Sequence, residues 1–153
     1  GGQFPFAAIL GCIDSRATAE QLFDQGVGDL FNARVAGNIV NEDILGSLEY
    51  ACNVAGAKLI LVLGHTDCGA MIAATQGVEL GNITRPISKI TPVMESLDNE
   101  PAPDELAEQN VRHSMERIRK ESSILKDMEL ERKILIKGAM YDVATGKVRF
   151  LSD

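Results

Sequence analysis

The 153 residues are 45% hydrophobic and carry a formal net charge of −7. That is enough chain for one domain with a real core, spanning residues 1–153, and too little for two ordinary ones. The acidic balance disfavours nucleic acid or an anionic membrane as a partner, because both need a concentrated basic surface; no apolar run approaches the roughly 20 residues of a bilayer span.

Residues 6–12 (FAAILGC) read as a short buried strand. Residues 18–25 read as a helix start with Thr18 as N-cap, broken by Gly26 and Gly28. A second short strand is expected over 30–35. Over 41–54 a helix is predicted, with Ile44, Leu45, Leu48 and Cys52 recurring at helical spacing. Residues 58–64 (KLILVLG) form a continuous apolar run, the pattern of a parallel strand buried on both faces. A helix over 68–75 follows, then a glycine-containing loop over 76–86. Residues 87–97 read as helical apart from a break at Pro92, and 98–104 as a polar connection. A charged helix over 105–120 carries an apolar stripe at Leu106, Val111, Met115 and Ile118, and a further short helix is expected over 124–130. Strands over 133–142 and 147–151 are joined by a turn at Ala144-Thr145-Gly146.

Strands alternating with helices imply an α/β fold, a mostly parallel sheet of four to five strands flanked by helices. Ligands in such sheets bind beyond the carboxyl ends of the strands. Three segments fall there: Gly11-Cys12-Ile13-Asp14-Ser15-Arg16, residues 34–38, and Gly64-His65-Thr66-Asp67-Cys68-Gly69.

Two of the three cysteines and one of the two histidines lie in these segments. Thiolate and imidazole are the ligands zinc prefers, in tetrahedral geometry. His65 and Cys68, three apart, can reach one ion from a tight turn, with Cys12 arriving from another strand end. A cysteine ending a strand is by itself usually a small core residue, and a lone His-x-x-Cys is a weak signal. Their coincidence at strand ends, with Asp14 beside Cys12, is the stronger observation. Three protein ligands leave one position open, the pattern of a catalytic zinc. Asp14 can close that position as a fourth ligand, or orient a water there, with Arg16 holding it in a charge-assisted pair. Cys52 reads as core, His113 as a surface residue, and the acidic stretch at 98–108 as a solvated face. An odd cysteine count without a secretory signal argues for a reducing cytoplasm.

Cys12-Ile13-Asp14-Ser15-Arg16 followed by His65-Thr66-Asp67-Cys68-Gly69 resembles the beta-carbonic anhydrase family, whose pattern is Cys-x-Asp-Ser-Arg and then His-x-x-Cys-Gly. Arg34-Val35-Ala36-Gly37-Asn38 resembles the block between the two. The resemblance implies one zinc ion per chain on Cys12, His65 and Cys68, and Asp14 and Arg16 as a catalytic dyad. It implies reversible hydration of carbon dioxide to bicarbonate and a proton by zinc-bound hydroxide. Ala36, Gly37, Gly69 and Ala70 are candidates to line the substrate pocket. The resemblance also implies a homodimer or higher homo-oligomer, and a closed state in which Asp14 joins the zinc. Members usually carry an N-terminal helical arm, expected here to be absent or trimmed. The branch with an allosteric bicarbonate pocket has Trp-x-Gly-Cys where this chain has Ile9-Leu10-Gly11-Cys12, so no such pocket is expected. Carbonyl sulfide or carbon disulfide hydrolysis on the same ligands is the alternative reaction. A non-enzymatic, zinc-stabilised binding domain is the alternative outside enzymology.

Overall fold

The computed structural model describes residues 2–152. Five strands form one sheet in the order β2-β1-β3-β4-β5: β1 Ala7–Gly11, β2 Leu30–Arg34, β3 Leu59–His65, β4 Leu135–Asp142 and β5 Lys147–Phe150. The first four run parallel, and β5 turns back antiparallel on β4. Alternation decides the two faces. Ala8, Leu10, Ile60, Val62 and Ile136 point into the larger core, and Ala7, Ile9, Leu61 and Leu63 into a smaller one. Each fully buried aliphatic side chain contributes about 1.5–3 kcal/mol, so β1 and β3, buried along nearly their whole length, anchor the sheet.

The helices are unequally shared between the faces. The larger core takes α2 Glu42–Glu49, α3 Gly69–Thr75, α4 Thr84–Glu95, α5 Pro103–Glu121 and α6 Ser123–Leu130. The smaller face has α1, Ala19–Leu22, with Ala17 and Phe23 packed beside it. Asn41 caps α2 by accepting from the N–H of Ile44, and Ser122 caps α6 by accepting from that of Leu125. Pro103 opens α5 at a position where a missing N–H costs nothing. No helix among the described residues is long and apolar enough to cross a membrane.

Three elements depart from expectation. The helix expected over 18–25 is the single turn of α1, because Asp24 turns left-handed at φ 51°. Thr18 is its N-cap residue but makes no side-chain capping bond. The break expected at Pro92 does not occur, and α4 runs through it from Thr84 to Glu95. Proline's fixed φ is itself helical, so the cost is one backbone bond and the crowding of its ring against the carbonyl four residues back, that of Ser88. Burial of Ile90 and Val93 on either side outweighs it. The helix expected over 41–54 is α2 followed by a wider π turn, Tyr50–Val54, that keeps Cys52 in the core.

Glycines 64 and 138 let α5 lie directly on the sheet. A Cβ at Gly64 would sit 2.6 Å from Val111 Cγ2 and 2.7 Å from Met140 Sδ. Valine's stiff χ1 leaves the former no room to yield. Gly64→Ala is therefore expected to destabilise the fold by about 1–3 kcal/mol. The reading is a lower urea midpoint at unchanged slope; an unchanged midpoint would mean that α5 does not press on β3 here.

Candidate metal centre

The order β2-β1-β3 places β1 where the chain switches direction across the sheet, since β2 lies on one side of it and β3 and β4 on the other. The crevice beyond such a switch point is where this architecture binds ligands. Cys12 follows β1 directly, His65 ends β3, and Cys68 is the N-cap residue of α3. Their sulfurs and ring nitrogen lie within 4.8 Å of one another, and all three residues are buried.

The loop after β3 is tied at every residue. Thr66 donates its N–H to the carbonyl of Tyr141, and its hydroxyl accepts from the N–H of Val143. Asp67 takes a left-handed φ of 54°, which aspartate tolerates, and its N–H donates to Asp104 Oδ1 at the start of α5. The carbonyl of Thr66 lies 2.8 Å from His65 Nδ1. A carbonyl can only accept, so Nδ1 carries the proton, and in the neutral ring Nε2 holds the lone pair. Nε2 is buried without any hydrogen-bond partner. An orphaned, nearly inaccessible imidazole nitrogen facing two sulfurs is costly unless something accepts its lone pair. The donor set fits a zinc ion: two thiolates and an imidazole whose other nitrogen is fixed by a backbone carbonyl.

The electrostatics favour deprotonation of one thiol. Hydrogen bonding from Cys68 pulls Cys12 down to about 4 against its burial, helped by His65 and by the N–H of Gly37. The neighbouring Cys12 sulfur, together with burial, pushes Cys68 up. Burial alone would lower His65, but its contacts with Cys12 and Thr66 outweigh it and raise it. Without a cation Cys12 is thus held as a thiolate, while Cys68 keeps a proton that metal binding must displace.

Asp14 stands just outside the cluster, its Oδ2 4.0 Å from His65 Nε2. Both its oxygens are taken by Arg16. Nε donates to Oδ1 at 2.9 Å and Nη2 to Oδ2 at 2.7 Å, and the Arg16 backbone N–H also reaches Oδ1. This fork holds the carboxyl well below the usual carboxylate range. Arg16 is braced on its far side by Asp67, through Nη1 to Oδ2 and Nη2 to the backbone carbonyl. Of the expected pocket residues, Gly37 is buried, with its N–H 3.4 Å from Cys12 Sγ. A Cβ on it would stand 3.1 Å from that of Ala70. Ala36 is half-buried beside it, and Gly69 is exposed at the start of α3. A cavity of about 810 Å³ lies elsewhere, between β2 and α2, and shares no residue with the cluster.

The sequence pattern of the carbonic anhydrase family matches residues 7–148. The chain belongs to the beta-carbonic anhydrase family. The structure of the beta-carbonic anhydrase CafA of Aspergillus fumigatus superposes with a TM-score of 0.91 at 27% identity, covering 99% of this chain and 77% of that one. A Coccomyxa beta-carbonic anhydrase in complex with acetazolamide gives 0.86 at 30% identity, over 99% and 73%. Carbonic anhydrase 2 of Mycobacterium tuberculosis is 50% identical over 82 residues, which is 54% of this chain and 40% of that protein. The matched region thus spans less than half of that relative's own length. The carbonic anhydrase of Mycolicibacterium smegmatis is 34% identical over 157 residues, 98% of this chain and 76% of that protein.

Several residues of this beta-carbonic anhydrase family member brace the site although sequence alone assigned them no role there. Arg34 clamps the loop after β1, donating to the carbonyls of Cys12 at 2.7 Å and Asp14 at 2.6 Å. Asp67 and Asp104 brace Arg16 and the loop after β3. The acidic stretch at 98–108 is thus more than a solvated face: Asp104 reaches the loop, and Glu108 pairs with Arg112 and Arg149. The available signal for Asp67 was its position inside His-x-x-Cys. His113 is half-buried on α5, where burial, first, and Arg117 lower its pKa.

Proposed function

We propose that this chain is a zinc enzyme that interconverts carbon dioxide and bicarbonate, with Cys12, His65 and Cys68 as the protein ligands. The observation that carries the reading is the unpartnered Nε2 of His65 between two cysteines, with Asp14 turned away to Arg16. A zinc ion on these ligands supplies a Lewis acid that lowers the pKa of water to about 7. Asp14, held as a carboxylate, accepts a hydrogen bond from the attacking oxygen and aims its lone pair at carbon. Arg16 keeps Asp14 in that orientation, and Asp67 keeps Arg16 in place. As the new C–O bond forms, a C=O π pair moves onto oxygen, and the proton leaves to solvent buffer. Ala36, Gly37, Gly69 and Ala70 supply a small wall for an apolar linear substrate.

Engagement of both Asp14 oxygens by Arg16 supports an open fourth position, as in catalytic zinc sites, over a structural site closed by four ligands. The reading includes pairing into a homodimer or larger homo-oligomer, supported by exposed Phe4, Phe6, Val27 and Phe150. Carbon dioxide, carbonyl sulfide and carbon disulfide assayed side by side on the zinc-loaded chain test the substrate. The largest kcat/KM is expected for carbon dioxide. A larger value for either sulfur gas would replace the reaction while leaving the site.

A further inference from the structure

Helix α5 carries Leu106, Asn110, Ser114 and Ile118 on one row at spacings of four, all buried. Two of these four are polar, an unusual choice on a face pressed against a sheet. Their side chains satisfy carbonyls of the segment after β2. Asn110 Nδ2 donates to Gly37 O at 2.8 Å, and Ser114 Oγ to Asn38 O at 3.3 Å. One turn on, Arg117 Nη1 donates to Val40 O at 2.8 Å.

Gly37 is the residue of that segment that touches the cluster, through its N–H and the sulfur of Cys12. It stands left-handed at φ 71°, and a Cβ there would meet Ile90 Cδ1 at 2.8 Å. Its orientation is therefore not fixed by a strand ladder. The Asn38 N–H closes the turn around it on the Val35 carbonyl, and the side-chain hold on its own carbonyl is the Asn110 amide, from 73 positions along the chain. An N–H aimed at a ligating sulfur draws charge from it, and groups that fix such outer contacts tune metal affinity.

We infer that Asn110 is a positioning residue of the metal centre: by holding the Gly37 carbonyl it keeps the Gly37 N–H on the Cys12 sulfur. The inference rests on Cys12 being a ligand, as proposed above. Cobalt(II) titration of the chain tests it, with affinity from chelator competition and the thiolate-to-cobalt charge-transfer band as readouts. Asn110→Ala is expected to weaken cobalt binding by roughly 10–100-fold and to shift the band. Ser114→Ala, which loses a bond to the same segment one residue away from Gly37, leaves both unchanged. Asn110→Ser, with too short a reach for the carbonyl, repeats the measurement should the alanine variant not fold, and is expected to weaken binding too. Wild-type affinity and band in a folded Asn110 variant would overturn the inference, as would equal losses in Asn110→Ala and Ser114→Ala, which mean general loosening. A wild-type chain without the band would instead remove the metal centre itself, and the inference with it.

Discussion

Cys68→Ser is expected to lower zinc affinity by more than the roughly 10–100-fold that loss of an outer contact costs, and to take carbon dioxide hydration down to the rate of buffer alone. The substitution is nearly isosteric, so the fold should survive. Cys68 is almost fully buried, yet the hydrophobic core beneath it continues through Met71, Ala74 and Ile90 without help from a metal. The loss is chemical. A hydroxyl is a far poorer ligand than a thiolate at neutral pH, and removing one of two thiolates also removes the charge that balances a dication. Zinc content by plasma emission, far-UV dichroism and stopped-flow hydration on one preparation separate metal loss from unfolding. A Cys68→Ser chain that keeps stoichiometric zinc would remove Cys68 from the ligand set.

Asp14→Asn should behave in the opposite way, keeping zinc and losing rate. Asp14 stands outside the three-residue cluster, so metal content should stay at one per chain. Its amide replacement puts an NH2 where Arg16 now finds an oxygen, opposing donor to donor, and breaks a fork with contacts of 2.7 and 2.9 Å. The group that orients the attacking oxygen is then misplaced or points a hydrogen at it. A fall of about 10²–10⁴-fold in kcat/KM is expected, the range for a positioned proton-accepting group. Arg16→Lys should fall less, since an ammonium keeps the charge but cannot make the two-pronged contact. Unchanged kcat/KM in Asp14→Asn would show that the carboxylate takes no part in the reaction.

Much of this was legible in the chain because the relevant patterns are local. Continuous apolar runs mark β1 and β3, Asn41 opens the helix between them, and the ligand candidates fall where strands end. The stripe Leu106, Val111, Met115 and Ile118 reads correctly because its residues are all apolar. Asn110 and Ser114 lie in the same sector of α5, but a polar residue on a charged helix gives no hint that it faces inward. What it reaches, Gly37, is set by the tertiary crossing of α5 over β3, which Gly64 makes possible. Asp104 was hidden for the same reason: an aspartate in an acidic stretch looks solvated until the fold brings it to a backbone N–H 37 positions away, that of Asp67. Pro92 is a local signal that tertiary burial overrode.

Zinc on Cys12, His65 and Cys68 is proposed to make this chain a carbon dioxide hydratase. Stopped-flow hydration by the zinc-loaded chain, before and after chelation and again after zinc is restored, tests it most directly. A rate well above buffer is expected, vanishing with the metal and returning with it. A zinc-loaded, folded chain no faster than buffer, or a rate that survives removal of the zinc, would contradict the proposal.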